Sequence, residues 1–140
     1  MQAQPNEILG NSDAPHIIKF EYCGGWGYRS HCVKAINLIE ATYPGQFQYN
    51  LYRDKGTTGR LEVTVYLNTK DDQGEGILIH SKAATKKYIS QDEAGFMEAL
   101  AEAMSKQWSH QKYVILKWDE LVKSWWHTLN ENLWKLTFDG

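Results

Sequence analysis

The stretch EYCGGWGYRSHC, residues 21–32, is where a strand gives way to a helix. The residues leading into it, HIIKFEYC (16–23), alternate Ile17, Lys19 and Glu21 against Ile18, Phe20 and Tyr22, with the β-branched and aromatic content of a strand. Gly24, Gly25 and Gly27 predict a tight turn, because glycine reaches backbone angles that side chains forbid. A helix is expected from about Ser30: Cys32, Ile36, Ile39 and Tyr43 recur at helical spacing. Pro44-Gly45 ends it. A cysteine between strand and helix, followed by glycines, has the local shape of a thiol redox site. A dithiol site carries its second sulfur three residues on, and here that place is held by Trp26.

Outward from this point the chain reads as short strands and two further helices. QFQYNLY (46–52) alternates Phe47, Tyr49 and Leu51 against polar positions. RLEVTVYLN (60–68) alternates Leu61, Val63, Val65 and Leu67 against Glu62, Thr64 and Tyr66, a half-buried strand. ILIHSK (77–82) is a further strand, after the polar loop TKDDQGEG (69–76). The turns between these three strands are too short for crossover helices, so an antiparallel meander is expected. SQDE (90–93) has the pattern of a capping box, with Ser90 as N-cap and Glu93 three residues on. Phe96, Met97, Leu100 and Met104 continue that helix. The expected fold is α/β (α+β): a β-α-β-β-β-α mixed sheet with an added C-terminal helix. A cysteine at the first strand-to-helix junction of such a sheet stands where thioredoxin-like proteins place theirs.

Three regions are expected: a polar, flexible lead over 1–15, the sheet domain over 16–106, and a Trp-rich helical extension over 107–140. Five of the 6 Trp (Trp108, Trp118, Trp125, Trp126 and Trp134) fall in that extension. Its apolar stripe from Trp118 to Leu136 suits a docking helix as well as one packed on its own sheet. Trp118, Trp125, Trp126 and Trp134 are candidate contacts to a protein partner or a larger complex, since Trp buries a large area and keeps a polar N–H.

The chain has 140 residues and a net charge of −2, which gives no general pull toward nucleic acid. No apolar run is long enough to span a bilayer. The first residues lack a secretory signal pattern, and 2 cysteines suit a reducing compartment better than a disulfide scaffold. An intracellular, cytoplasmic location is expected, with the mitochondrion as the alternative. No metal site is expected, because the two cysteines lack paired histidines at ligand spacing.

Cys23 is the candidate nucleophile. The free amides at a helix N-terminus would favour its thiolate. Cys32 lies on the apolar stripe with Ile36 and Ile39, so core packing is its expected role. Nine positions from Cys23, it is expected to be out of disulfide reach. His31 is expected to point away, and no other group replaces the missing sulfur.

EYCGGWGY, YPG (43–45), TTGRLEVTV (57–65), LIHSK (78–82) and Tyr88 before a helix together resemble the selenoprotein W (Rdx) family. The resemblance runs from about Ile17 to Met104. It implies a thioredoxin-like fold and a Cys-x-x-Sec or Cys-x-x-Cys motif linked to glutathione. Cys23 matches the first redox position and Trp26 the second, with Gly24, Gly25 and Gly27 in the redox loop. One expectation is therefore a non-catalytic interaction subunit that docks through its C-terminal helix and needs no cofactor. The alternatives are a monothiol protein acting with glutathione through Cys23, or a Cys-x-x-Sec oxidoreductase whose UGA codon has been read as Trp26.

Overall fold

The computed structural model describes residues 4–106 and Lys123. The chain divides into two compact units, residues 1–104 and 105–140, and the first carries the sheet. Its strands are β1 (Glu7–Gly10), β2 (His16–Tyr22), β3 (Phe47–Arg53), β4 (Leu61–Tyr66) and β5 (Ile77–Ser81). Helix α1 (Tyr28–Thr42) joins β2 to β3, and the short α2 (Lys82–Thr85) follows β5. A 3-10 turn (Ile89–Gln91) then leads into α3, residues 93–106.

The sheet order is β1-β3-β2-β4-β5. β2 runs parallel to β3 and antiparallel to β4, and β4 pairs antiparallel with β5. This is the thioredoxin-like β-α-β-β-β-α arrangement, with β1 added on the β3 edge.

The expected meander is only half present, because β3 and β4 are not neighbours. β2 lies between them, with Ile17, Ile18 and Phe20 without exposed surface. A strand so apolar on both faces takes the centre of the sheet. Residues 54–60 must therefore cross the end of β2 instead of turning a hairpin. The flexible lead is also corrected. Glu7–Gly10 pairs with β3 in the register Glu7 to Leu51 through Gly10 to Gln48. Arg29 fastens this strand to α1, donating from Nε and Nη2 to the two Glu7 carboxylate oxygens at 2.7 Å each.

One sheet face carries Ile18, Phe20, Tyr49, Leu51, Val63 and Val65, packed under Cys32, Ile36 and Ile39 of α1 and Phe96, Leu100 and Met104 of α3. The N-cap of α3 is Asp92, not Ser90: Gly95 N–H donates to its carboxylate at 3.1 Å, and Phe96 N–H to its carbonyl at 3.1 Å. Ser90 is instead taken into the 3-10 turn, which Gln91 closes by accepting from Tyr88 N–H at 2.8 Å.

The opposite face is covered by the polar loop after β4. Asp72 is buried there and accepts from Asn50 Nδ2 at 2.9 Å, Tyr52 OH at 2.6 Å and Gln73 Nε2 at 2.6 Å. Lys19 Nζ donates to its backbone carbonyl at 2.9 Å. Burial works to raise the Asp72 carboxyl, but these side-chain donors outweigh it and hold its pKa below the usual value. A lowered folded-state pKa stabilises the fold above the unfolded carboxyl value and loses that contribution as pH falls through the folded one. Asp72→Ala should cost about 2 kcal/mol, since it strands buried donors on Asn50 and Tyr52. Urea unfolding at pH 7 checks the loss, and the gap between mutant and parent should shrink below about pH 4.

Candidate functional site

Beyond β2 the backbone stays pinned. Cys23 N–H donates to Arg60 O at 2.8 Å and Gly24 N–H to Gly56 O at 3.0 Å. The crossing segment 54–60 thus lies directly on the start of the glycine-rich loop that follows β2. A Cβ at position 24 would collide with the carbonyl oxygens of Asp54 and Gly56, so glycine is required there by space. Gly27 is required by conformation, being left-handed at φ +86° as it enters α1.

The crossing segment is closed on itself. Its end residues, Asp54 and Arg60, form a forked pair, with Nη2 to Oδ1 at 2.6 Å and Nε to Oδ2 at 3.0 Å. Thr58 Oγ1 donates to Asp54 Oδ2 at 2.6 Å.

Cys23 has no exposed surface, and its cover is this segment. Trp26 does not shield the thiol, for its side chain is fully exposed. Burial works to raise the Cys23 thiol, but hydrogen bonds to sulfur from the Gly59, Gly25 and Thr58 backbone and from the Thr58 hydroxyl outweigh it, and the net direction is down. Gly25 N lies 3.3 Å from Sγ. The Thr58 hydroxyl proton is already engaged by Asp54, so the amides are the dependable donors. The expected source of thiolate stabilisation therefore changes. α1 begins at Tyr28, five residues past Cys23, and the amides that serve the sulfur belong to Gly25 and the crossing segment.

Cys32 is likewise buried, within the core cluster, and both thiols are free. Burial pushes the Cys32 thiol up to about 12. His31 is half-buried and faces Tyr88 and Tyr28. It stacks on Tyr88 with ring centroids 4.3 Å apart and planes at 15°, and meets Tyr28 edge-on at 6.4 Å. Burial, then Lys34 and Lys82, lower its pKa. Lys82 joins this cluster, with Nζ 4.8 Å from the Tyr88 ring centroid and 3.2 Å from Tyr28 OH. Sequence reasoning marked Lys82 and Tyr88 as family-like positions but gave them no place beside the thiol. No local signal marks this meeting, which depends on the strand order: with β2 central, residues 54–60 cross its end.

Among the described residues, no three His, Cys, Asp or Glu side chains are grouped so as to hold a metal ion. No described helix is long and apolar enough to cross a membrane. Trp118, Trp125, Trp126 and Trp134 lie outside the described residues.

The Rdx family model matches residues 17–99. The chain belongs to the Rdx family. It is 33% identical over 93 residues to selenoprotein W of Danio rerio, covering 65% of this chain and 94% of that protein. No solved structure matches significantly. Within this Rdx chain the match contains Cys23, Trp26, the crossing segment and Lys82, and it ends before the Trp-rich extension.

The two thiols should separate cleanly in the native protein. Iodoacetamide at neutral pH should modify one cysteine, Cys23, with a rate that reaches half its maximum below the ~8.5 of a free thiol. Cys32 should stay unmodified until the chain is unfolded. Mass spectrometry of the two cysteine peptides reads both.

Proposed function

We propose that the chain is a thiol redox protein that acts through Cys23 alone, with glutathione as its thiol partner. The supporting observation is the set of backbone amides on Cys23 Sγ, which favours the attacking thiolate against the effect of burial. The thiolate attacks a disulfide sulfur. A new S–S bond forms to Cys23, the old one breaks, and the other half leaves as thiolate. Cys32, buried with a pKa of about 12, does not serve as resolving thiol. Glutathione from solution must release the product.

Oxidised glutathione should therefore add one glutathionyl group at Cys23, reversibly with reduced glutathione. Cys23→Ser should abolish this and Cys32→Ser should not. A native protein whose Cys23 stays unmodified at pH 7.5, under conditions that label it with iodoacetamide, would overturn the reading.

Trp26 bears on the second position of the motif. Its indole is fully exposed, so the fold places no demand for it there. Trp26→Cys should change stability by less than about 0.5 kcal/mol. It should create an oxidisable pair with Cys23, detected as a loss of two thiols without dimer formation. An intact mass settles which residue the natural protein carries at position 26.

A second reading is an interaction subunit that does no chemistry and docks through the Trp-rich extension. It is favoured by the complete burial of Cys23. Deleting residues 107–140 should then abolish binding of a protein partner and leave glutathionylation, if any, unchanged.

A further inference from the structure

Lys82 sits where four segments meet. Ser81 caps α2 through its hydroxyl, which accepts from Ala84 N–H at 3.1 Å, and so fixes Lys82 as the first residue of that helix. Lys82 Nζ donates to Gly59 O at 3.2 Å, in the crossing segment, and to Tyr28 OH at 3.2 Å, at the start of α1. Its charge lies 5.5 Å from the Tyr28 ring centroid and 4.8 Å from that of Tyr88. Tyr88 OH donates to Tyr28 OH at 3.3 Å, which closes the cluster. One ammonium therefore ties the covering segment to the α1 end of the redox loop and to the turn before α3.

The tie falls on a residue that matters for the sulfur. Gly59 gives its carbonyl to Lys82, and the Gly59 and Thr58 backbone groups are among those that lower the pKa of the Cys23 thiol. The Asp54–Arg60 fork closes the two ends of the segment, Thr58 Oγ1 is bonded to Asp54 and Gly56 O to Gly24 N–H, and Lys82 adds the hold on the Gly59 carbonyl. Gly56 and Gly59 both have positive φ, at +81° and +71°, with open space around the Cβ position. A glycine-rich tip keeps its amides aimed at one atom only if something fixes it, because glycine loses the most freedom on ordering.

We propose that Lys82 is a positioning residue: it clasps the 54–60 segment through Gly59 and so holds the Thr58 and Gly59 amides on the Cys23 sulfur. The inference deepens the redox reading of Cys23 and rests on it. Its test reads the thiolate, not disulfide exchange. Cys23 that titrates as expected but fails to exchange with oxidised glutathione would thus sink the redox reading and leave the clasp standing.

The experiment follows Cys23 alkylation by iodoacetamide against pH, peptide by peptide, together with hydrogen exchange at the Thr58 and Gly59 amides. Lys82→Met should raise the midpoint of the Cys23 profile by about one pH unit. It should also speed exchange of the two amides at least tenfold. Lys82→Arg, which can still donate to Gly59 O and lie over both rings, should restore the parent values. Tyr28→Phe, which removes one of the groups holding Nζ, should move both readouts the same way by less, and it serves as well should Lys82→Met fail to fold. The proposal is overturned if Lys82→Met leaves amide exchange unchanged. It is equally overturned if 0.5 M salt alone moves the parent midpoint as far as the mutation does, because a screened through-space charge would then account for the shift.

Discussion

The structure depends on one crossing. β2 pairs on both edges, so the chain that leaves β3 must pass over the end of β2 to reach β4. Two strand spacings separate β3 from β4, roughly 10 Å. Seven residues can reach roughly 23 Å when extended. The segment therefore has slack, and it settles as a folded flap on the residues that follow β2. Gly24 lets it come close, and the bonds from Cys23 N–H to Arg60 and from Gly24 N–H to Gly56 record how close.

From that crossing follow two effects on the sulfur that pull in opposite directions. Covering removes water from Cys23, which disfavours a thiolate. The same cover supplies amide donors, which favour it, and the donors prevail. At Cys32 burial in apolar surroundings prevails and pushes the thiol up to about 12. Neither cysteine has exposed surface, but Cys32 lies inside the core cluster and Cys23 lies outside it, at the end of the sheet. Depth and donors both distinguish them, with Gly25 N–H 3.3 Å from the Cys23 sulfur.

Much of this was legible in the residues. Faces of β2, β3 and β4 followed from strict alternation, as at Leu61, Val63 and Val65, because one face must be buried under helices. The α1 stripe of Cys32, Ile36 and Ile39 was legible for the same reason. Strand order was harder. Lys55-Gly56-Thr57-Thr58-Gly59 has the composition of a hairpin turn, and local chemistry does not reveal that a third strand lies between its flanks. The pairing of Glu7–Gly10 was hidden too, since four residues carry little periodicity and the strand is held by backbone bonds and by Arg29 rather than by an apolar face. The meeting of Tyr28, Tyr88 and Lys82 in one cluster is a tertiary fact, visible in sequence only as scattered polar and aromatic residues.

The two motif positions have opposite exposures. Residue 26 stands wholly in solvent and residue 23 is wholly covered. A reagent or partner can meet position 26 without any movement, whereas the sulfur has no exposed surface and the 54–60 segment is bonded to the backbone of residues 23 and 24. Lifting of that segment would also withdraw Thr58 and Gly59, leaving Gly25 N–H, 3.3 Å from Sγ, as the donor that belongs to the loop of Cys23 itself. Access and thiolate stabilisation are thus coupled against each other through one segment. In the proposed redox reading, the reactivity of Cys23 depends less on the residue three places on than on how firmly the flap is held, by the Asp54–Arg60 fork at its base and by Lys82 at its tip.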